Sequence, residues 1–125
     1  MVITPQQLAA ELLAAAARTN VAVARVVNKS ASDVKNEARR NATVSSGRSA
    51  AKYPQTITYD VANQGVRVSA EIGPEGGGQA RLGAILEYGS GGAKNPPHRD
   101  LGRALDSQEA NFISAMEQIG TVVVQ

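Results

Sequence analysis

Hydrophobic positions in the first third of the chain recur at helical spacing: Leu8, Leu12, Ala15, Ala16, Val23, Val26, Val27 and Val34. Steps of three and four residues place such side chains on one face of a helix. Thr4-Pro5-Gln6-Gln7 ahead of them reads as a helix start, with Thr4 as cap, Pro5 at the first helical position and Gln7 completing a capping box. The pattern can be followed to Ala42. A continuous helix of that length spans roughly 57 Å at about 1.5 Å per residue, whereas a compact chain of this size has a radius of gyration of about 14 Å. Such a helix must break or project from the body. Residues 28–33 (NKSASD) predict a break, because Ser30 and Asp33 fit a second capping signature. Projection against a neighbouring subunit is the alternative.

Residues 43–52 form a Ser/Gly/Arg-rich connector, after which the period changes from helical to alternating. Residues 55–62 alternate Ile57, Tyr59 and Val61, and residues 66–72 alternate Val66, Val68, Ala70 and Ile72. These are strand signatures, with Asn63-Gln64-Gly65 as the hairpin turn. A lone hairpin is marginal in water and needs a covering helix or further strands, and Val122-Val123-Val124 is a candidate for one more short strand. Residues 73–78 (GPEGGG) read as a flexible tip. Residues 79–88 read as a short helix with Leu82, Ile85 and Leu86 on one face and Gly89 as its stop. A final helix starts at Asp100 and carries Leu101, Leu105, Phe112, Met116 and Ile119 as a stripe, with a possible break near Asp106-Ser107. The order predicts an α+β fold: a long N-terminal helix packed on a small hairpin-based antiparallel sheet, with two further C-terminal helices.

Composition changes this picture in one respect. The chain of 125 residues suits a single domain, residues 1–125, yet Leu, Ile, Val and Phe make up only about a fifth of it, near the range where chains struggle to fold alone. Small domains with so few large apolar groups borrow burial from partners, so oligomerisation is expected. The N-terminal run carries Glu11 and lacks an early positive charge, which fits neither a signal peptide nor a membrane span.

The net charge of +2 hides an asymmetry. Residues 1–52 carry eight basic and three acidic side chains, and residues 53–125 carry five basic and eight acidic ones. Opposite-signed halves suit head-to-tail contacts between identical subunits, which can close into rings.

Candidate chemistry is sparse. There are no cysteines and His98 is the single histidine, so no thiolate or multi-histidine metal site can form. The glycine-rich stretches GPEGGGQ and GSGGAKN lack the Lys-Ser/Thr pair of a phosphate loop. No serine sits in a nucleophile elbow, and Asp106 and Glu109 fall on a solvated helix face. No enzyme activity, cofactor or metal is expected. A nucleic-acid reading rests on Arg18, Arg25, Lys29, Lys35, Arg39 and Arg40 as a basic face on the first helix, able to contact phosphates through charge. Aromatic content of 3% leaves few stacking platforms, and no recognition motif is visible.

The segment LGAILEYGSGGAKNPPHRDLGRALD, residues 82–106, holds backbone punctuation where a pocket enzyme holds polar chemistry. Glu87, Tyr88, Gly89, Ser90, Pro96, Pro97, Ala104 and Leu105 resemble the Glu–aromatic–Gly–Thr/Ser … Pro … Ala-Leu signature of a family of siphophage neck and tail-completion minor tail proteins. TVSSGRS, residues 43–49, resembles the turn between that family's first helix and first strand. The chain departs from the pattern at Asp100-Leu101-Gly102, where relatives often carry Pro-Phe-Leu, and at Thr43, in the place of a proline.

The resemblance implies a structural virion protein: a hexameric ring at the head–tail junction that completes the tail or joins it to the head-closure (connector) protein. Implied partners are copies of itself, that connector, and the tail terminator or tail tube protein. DNA passes through the lumen without sequence-specific contact, and no membrane is involved. Its place is the virion neck or tail, with assembly in the host cytoplasm. Candidate docking residues are Ser46, Gly47, Arg48, Glu87, Tyr88, Gly89, Ser90, Lys94, Pro97, His98 and Arg99. The plainer role for Tyr88 and Gly89 is that the one closes the core and the other ends its helix. Alternatives are a tail terminator that caps the tail tube and, in a different class, a small basic DNA-binding protein.

Overall fold

The computed structural model describes residues 4–45, 50–65, 67–89 and 98–124, without the side chains of Ile85 and of residues 121–124. Helix α1 covers Pro5–Ser45, and a one-turn helix α2 covers Tyr53–Thr56. Strands β1 (Ile57–Asn63) and β2 (Val68–Pro74) follow as an antiparallel pair. A 3-10 turn at Gly78–Leu82 leads into α3 (Gly83–Tyr88), and α4 spans Asp100–Val124. The architecture is α+β, as the periodicities predict.

The start of α1 is a reciprocal capping box: Gln7 N–H donates to Thr4 Oγ1 at 3.1 Å, and Thr4 N–H to Gln7 Oε1 at 3.0 Å. From there the helix runs 41 residues without interruption, which corrects the break expected at residues 28–33. Two forces override the second capping signature. Lys29 Nζ pairs with Asp33 at 2.7 Å, an i,i+4 contact that supports helix. Ala31 and Val34, 3% and 5% exposed, belong to the buried core and must stay on the helix's inner face. With no glycine or proline between Gln6 and Ser45, nothing in the backbone opposes continuation.

α1 therefore projects. Asn41 donates to the Asp100 backbone carbonyl, Ser45 binds the Asp100 carboxylate, and Gln108 donates to Glu37. α4 thus runs back antiparallel along α1. At 1.5 Å per residue its last turn ends level with about residue 20 of α1. The hairpin tip ends at the same level: Asn20 exchanges hydrogen bonds with Asn63 at 2.9 and 3.0 Å and donates to Gly65 O at 2.7 Å. Beyond that line every residue from 4 to 14 is exposed.

The core gathers where α1, α2, β1 and α4 meet. It consists of Val34, Ala38, Ala42, Ala50, Tyr53, Ile57 and Ala104, with Ile72, Leu82, Leu86 and Leu101 packed against it. Alanines on α1 let the neighbouring elements approach closely, and Tyr53 and Ile57 fill the space between them. On the hairpin, Ile57, Tyr59 and Val61 stand opposite Pro74, Ile72 and Ala70, so one face carries the apolar residues, as the alternation predicts.

Several boundaries move. Gln55 and Thr56 belong to α2, not to the first strand, because Pro54 sits in the first turn of a helix. β2 extends through Gly73 and Pro74, so the tip expected at residues 73–78 shrinks to its second half. α4 passes through Asp106-Ser107 without a break, with Ser107 Oγ donating back to Ala104 O at 3.0 Å. Residues 122–124 are helical and not a strand.

Candidate functional site

The candidate site is the junction between α3 and α4, and its ends are tied. Gly89 follows the last helical residue with φ 77°, the left-handed conformation that stops a helix and that glycine adopts without strain. The chain returns at His98, whose N–H donates to Leu86 O at 2.7 Å, while Arg99 N–H donates to Glu87 O at 3.2 Å. Two carbonyls that α3 leaves unpaired at its C-terminus are satisfied in this way. Residues 89 and 98, nine apart in sequence, are thereby held at the base of one loop.

α4 receives its cap from the same place. Arg99, with φ 53°, is the residue before the helix, and its carbonyl accepts Arg103 N–H at 2.8 Å. The capping carboxylate comes from Glu87: Oε1 accepts Leu101 N–H at 2.8 Å and Oε2 accepts Gly102 N–H at 3.2 Å. A carboxylate on those two amides matches the positive end of the helix dipole. Gly102 has a reason to lack a side chain, since a Cβ there would lie 3.1 Å from Arg99 Nη2 and 3.4 Å from Glu87 Oε2.

Asp100, 2% exposed, is the second buried carboxylate. Ser45 Oγ donates to its two oxygens at 2.9 and 3.0 Å, and Arg103 Nη2 to Oδ1 at 3.0 Å. His98 Nδ1 stands 3.9 Å from Oδ2, too far for a hydrogen bond. Tyr53 is buried, and that burial, with the Asp100 and Glu87 charges, pushes its phenol up to about 12. Ser45 and Asn41 thus tie the end of α1 to Asp100 at the start of α4, and Glu87 ties the end of α3 to the same start.

The predicted docking residues separate into groups. Glu87 is 8% exposed and occupied by the cap, so its carboxylate is not offered to a partner. Tyr88 is 77% exposed and does not close the core; Tyr53, which directly follows the segment read as a connector, does. The signal for Tyr53 was an aromatic directly before a proline in an otherwise polar stretch. Gly89 ends α3 as expected, Arg99 is exposed, and His98 is half-buried beside Asp100. Ser46, Gly47, Arg48, Ser90, Lys94 and Pro97 lie outside the described residues. Ser45 and Asn41, which no sequence pattern marked, hold Asp100 in place.

The six residues of the basic face have different surroundings. Lys29 pairs with Asp33, and Lys35 stands 5.3 Å over the Tyr59 ring. Arg39 Nε donates to Ile57 O at 2.8 Å, which ties α1 to the start of β1. Arg18, Arg25 and Arg40 remain on the surface. Among the described residues no group of three or more His, Cys, Asp or Glu could hold a metal, and no helix is long and apolar enough to cross a membrane.

The family model described as "Bacteriophage HK97-gp10, putative tail-component" matches residues 6–89. The chain belongs to the HK97-gp10-like family. The matched region takes in most of α1, the hairpin and α3, and ends at Gly89, the base of the loop. No curated protein and no solved structure matches the chain. Membership of a tail-component family agrees with the siphophage resemblance of the sequence and with a virion protein that acts by contact with other virion proteins.

Proposed function

We propose that this HK97-gp10-like protein is a ring-forming component of the phage neck, which completes the tail or joins it to the head-closure connector. In this reading residues 1–125 act as one unit, six copies surround the DNA path, and assembly takes place in the host cytoplasm. The observation that carries the reading is the N-terminal arm of α1, which leaves the body with Leu8, Leu12 and Leu13 exposed at 47%, 62% and 73%. Leucines in a row on a projecting helix are a surface that association covers. The junction between α3 and α4, with exposed Tyr88 beside it and Lys94 and Pro97 in its sequence, is the second docking element, toward the connector or the tail tube. DNA binding as the main function loses support, because Lys29, Lys35 and Arg39 have partners within the chain.

The test is complementation in the phage that encodes the chain. Without the gene, infected cells should accumulate filled heads and unattached tails in electron micrographs. A copy with Leu8, Leu12 and Leu13 changed to serine should be soluble and fail to restore joined particles. Joined, infectious particles at wild-type yield in the absence of the gene would end this reading. A capped tube of normal length that depends on the protein would favour the tail terminator.

A further inference from the structure

Two helix faces of this chain carry opposite charge around matching apolar centres. On α1, Val21 is 51% exposed. It lies three residues after Arg18 and four before Arg25, with Ala17 and Ala22 beside it in a shallow depression. That spacing puts the group on one side of the helix. Neither arginine has an ionic or hydrogen-bonding partner among the described residues.

On α4, Leu105, Glu109 and Ile113 follow at four-residue steps with Asp106 alongside, and Leu105 and Ile113 are 59% and 47% exposed. Among the described residues Asp106 has one ionic partner, Arg99 at 3.8 Å, with both side chains mostly in solvent. A surface pair of that kind contributes little, so Asp106 can take another cation.

The two faces cannot meet inside one molecule. In the antiparallel register set by Gln108 with Glu37, Ile113 lies level with about residue 31 of α1, roughly 15 Å along the helix from Val21 at 1.5 Å per residue. The basic centre of one copy and the acidic centre of another are free to pair, with Val21 beside Ile113 and the arginine on that side of Val21 reaching Glu109 and Asp106, which precede Ile113 by four and seven residues. We infer that the Arg18–Val21–Arg25 face of α1 docks on the Leu105–Asp106–Glu109–Ile113 face of α4 in a second copy of this chain. Such a contact uses a different patch on each partner, leaves one of each open, and propagates head to tail until a ring closes. The charge pairing fixes partner and register while the apolar centres exclude water. The inference rests on the ring reading for its closure, not for the pairwise contact.

The chain has no cysteine, so an introduced pair reports the contact alone. Val21→Cys and Ile113→Cys are both at exposed positions, and thermal melts check that each variant keeps the wild-type fold. On mild oxidation, the full-length double variant should give a ladder of disulfide-linked species beyond the dimer. The two single variants should cross-link when mixed and should not cross-link with themselves. Reversing Arg18 and Arg25 to glutamate should cut the ladder at least tenfold, and adding Asp106→Arg with Glu109→Arg should restore it.

Absence of the ladder both in the concentrated purified chain and in isolated tails overturns the contact. Self-linking of Val21→Cys as fast as the mixture does the same. A ladder in the purified chain with no protein found in particles keeps the contact and removes the neck reading. Protein present in particles that yield no ladder keeps the neck reading and removes the contact.

Discussion

Glu87 closes one helix and opens another: it is the second-last residue of α3, and its carboxylate accepts the backbone N–H of Leu101 in the first turn of α4 at 2.8 Å. Residues fourteen apart in sequence are joined across the base of the loop, and the same side chain reaches Gly102. Loss of this carboxylate leaves two amides of a helix start without their acceptor. Glu87→Ala should lower stability by about 1–2 kcal/mol, in the range of N-cap removal, and Glu87→Gln by less. Urea unfolding of the purified variants measures both. An alanine variant within the error of wild type would mean that water replaces the cap at no cost.

Close packing at Gly83 gives a contrast within one residue type. A Cβ on Gly83 would sit 2.6 Å from Pro74 Cγ, where the start of α3 rests on the end of β2, while one on Gly120 would meet nothing within 4 Å. Gly83→Ala should destabilise by about 1–3 kcal/mol through overpacking. Gly120→Ala, in the interior of α4, should stabilise by about 0.5–1 kcal/mol through helix propensity. Paired thermal melts should move in opposite directions.

Stability should fall at both ends of the pH range for separate reasons. Tyr53 is pushed from 10.0 up to about 12 in the folded protein, so the unfolded chain ionises first. Its contribution is complete below about pH 10 and is lost as pH rises toward about 12. The carboxyl of Glu37 is held below its usual range, chiefly by the hydrogen bond from Gln108, with Ser107 and then the Arg40 charge adding to it. That contribution is present above pH 4.5, the ordinary value, and disappears as pH falls through the depressed one. In melting curves across pH, Tyr53→Phe should flatten the alkaline limb and Glu37→Gln the acid limb.

One helix should show two levels of protection. Residues 4–14 of α1 are exposed throughout, whereas Ala31, Val34, Ala38 and Ala42 are buried. An isolated helical stretch of that length is marginal in water. Amide exchange in the free protein should be fast over the arm and slowest around residues 31–42. Equal protection along the whole helix would mean that the arm is already covered, as in a preformed oligomer.

The sequence by itself determined the elements and most of the class of protein. Alanine-rich helical spacing, the Thr4–Gln7 box, the alternation around Ile57 and Ile72 and the glycine at position 89 are local signals, and each specifies backbone conformation through its neighbours alone. The Glu-Tyr-Gly segment and its setting carried the resemblance to a phage tail protein that the family match supports. Tertiary structure decided what local signals leave open. Residues 28–33 could cap or continue, and burial of Ala31 and Val34 made them continue. Val122–Val124 has strand-forming residues, yet it continues α4, the helix that starts at Asp100. Tyr53 rather than Tyr88 entered the core, because α2 packs against α1 and brings it beside Val34, Ala38, Ala42 and Ile57. Glu87 became a cap for a helix fourteen residues away, a role that exists only once α3 and α4 are brought together.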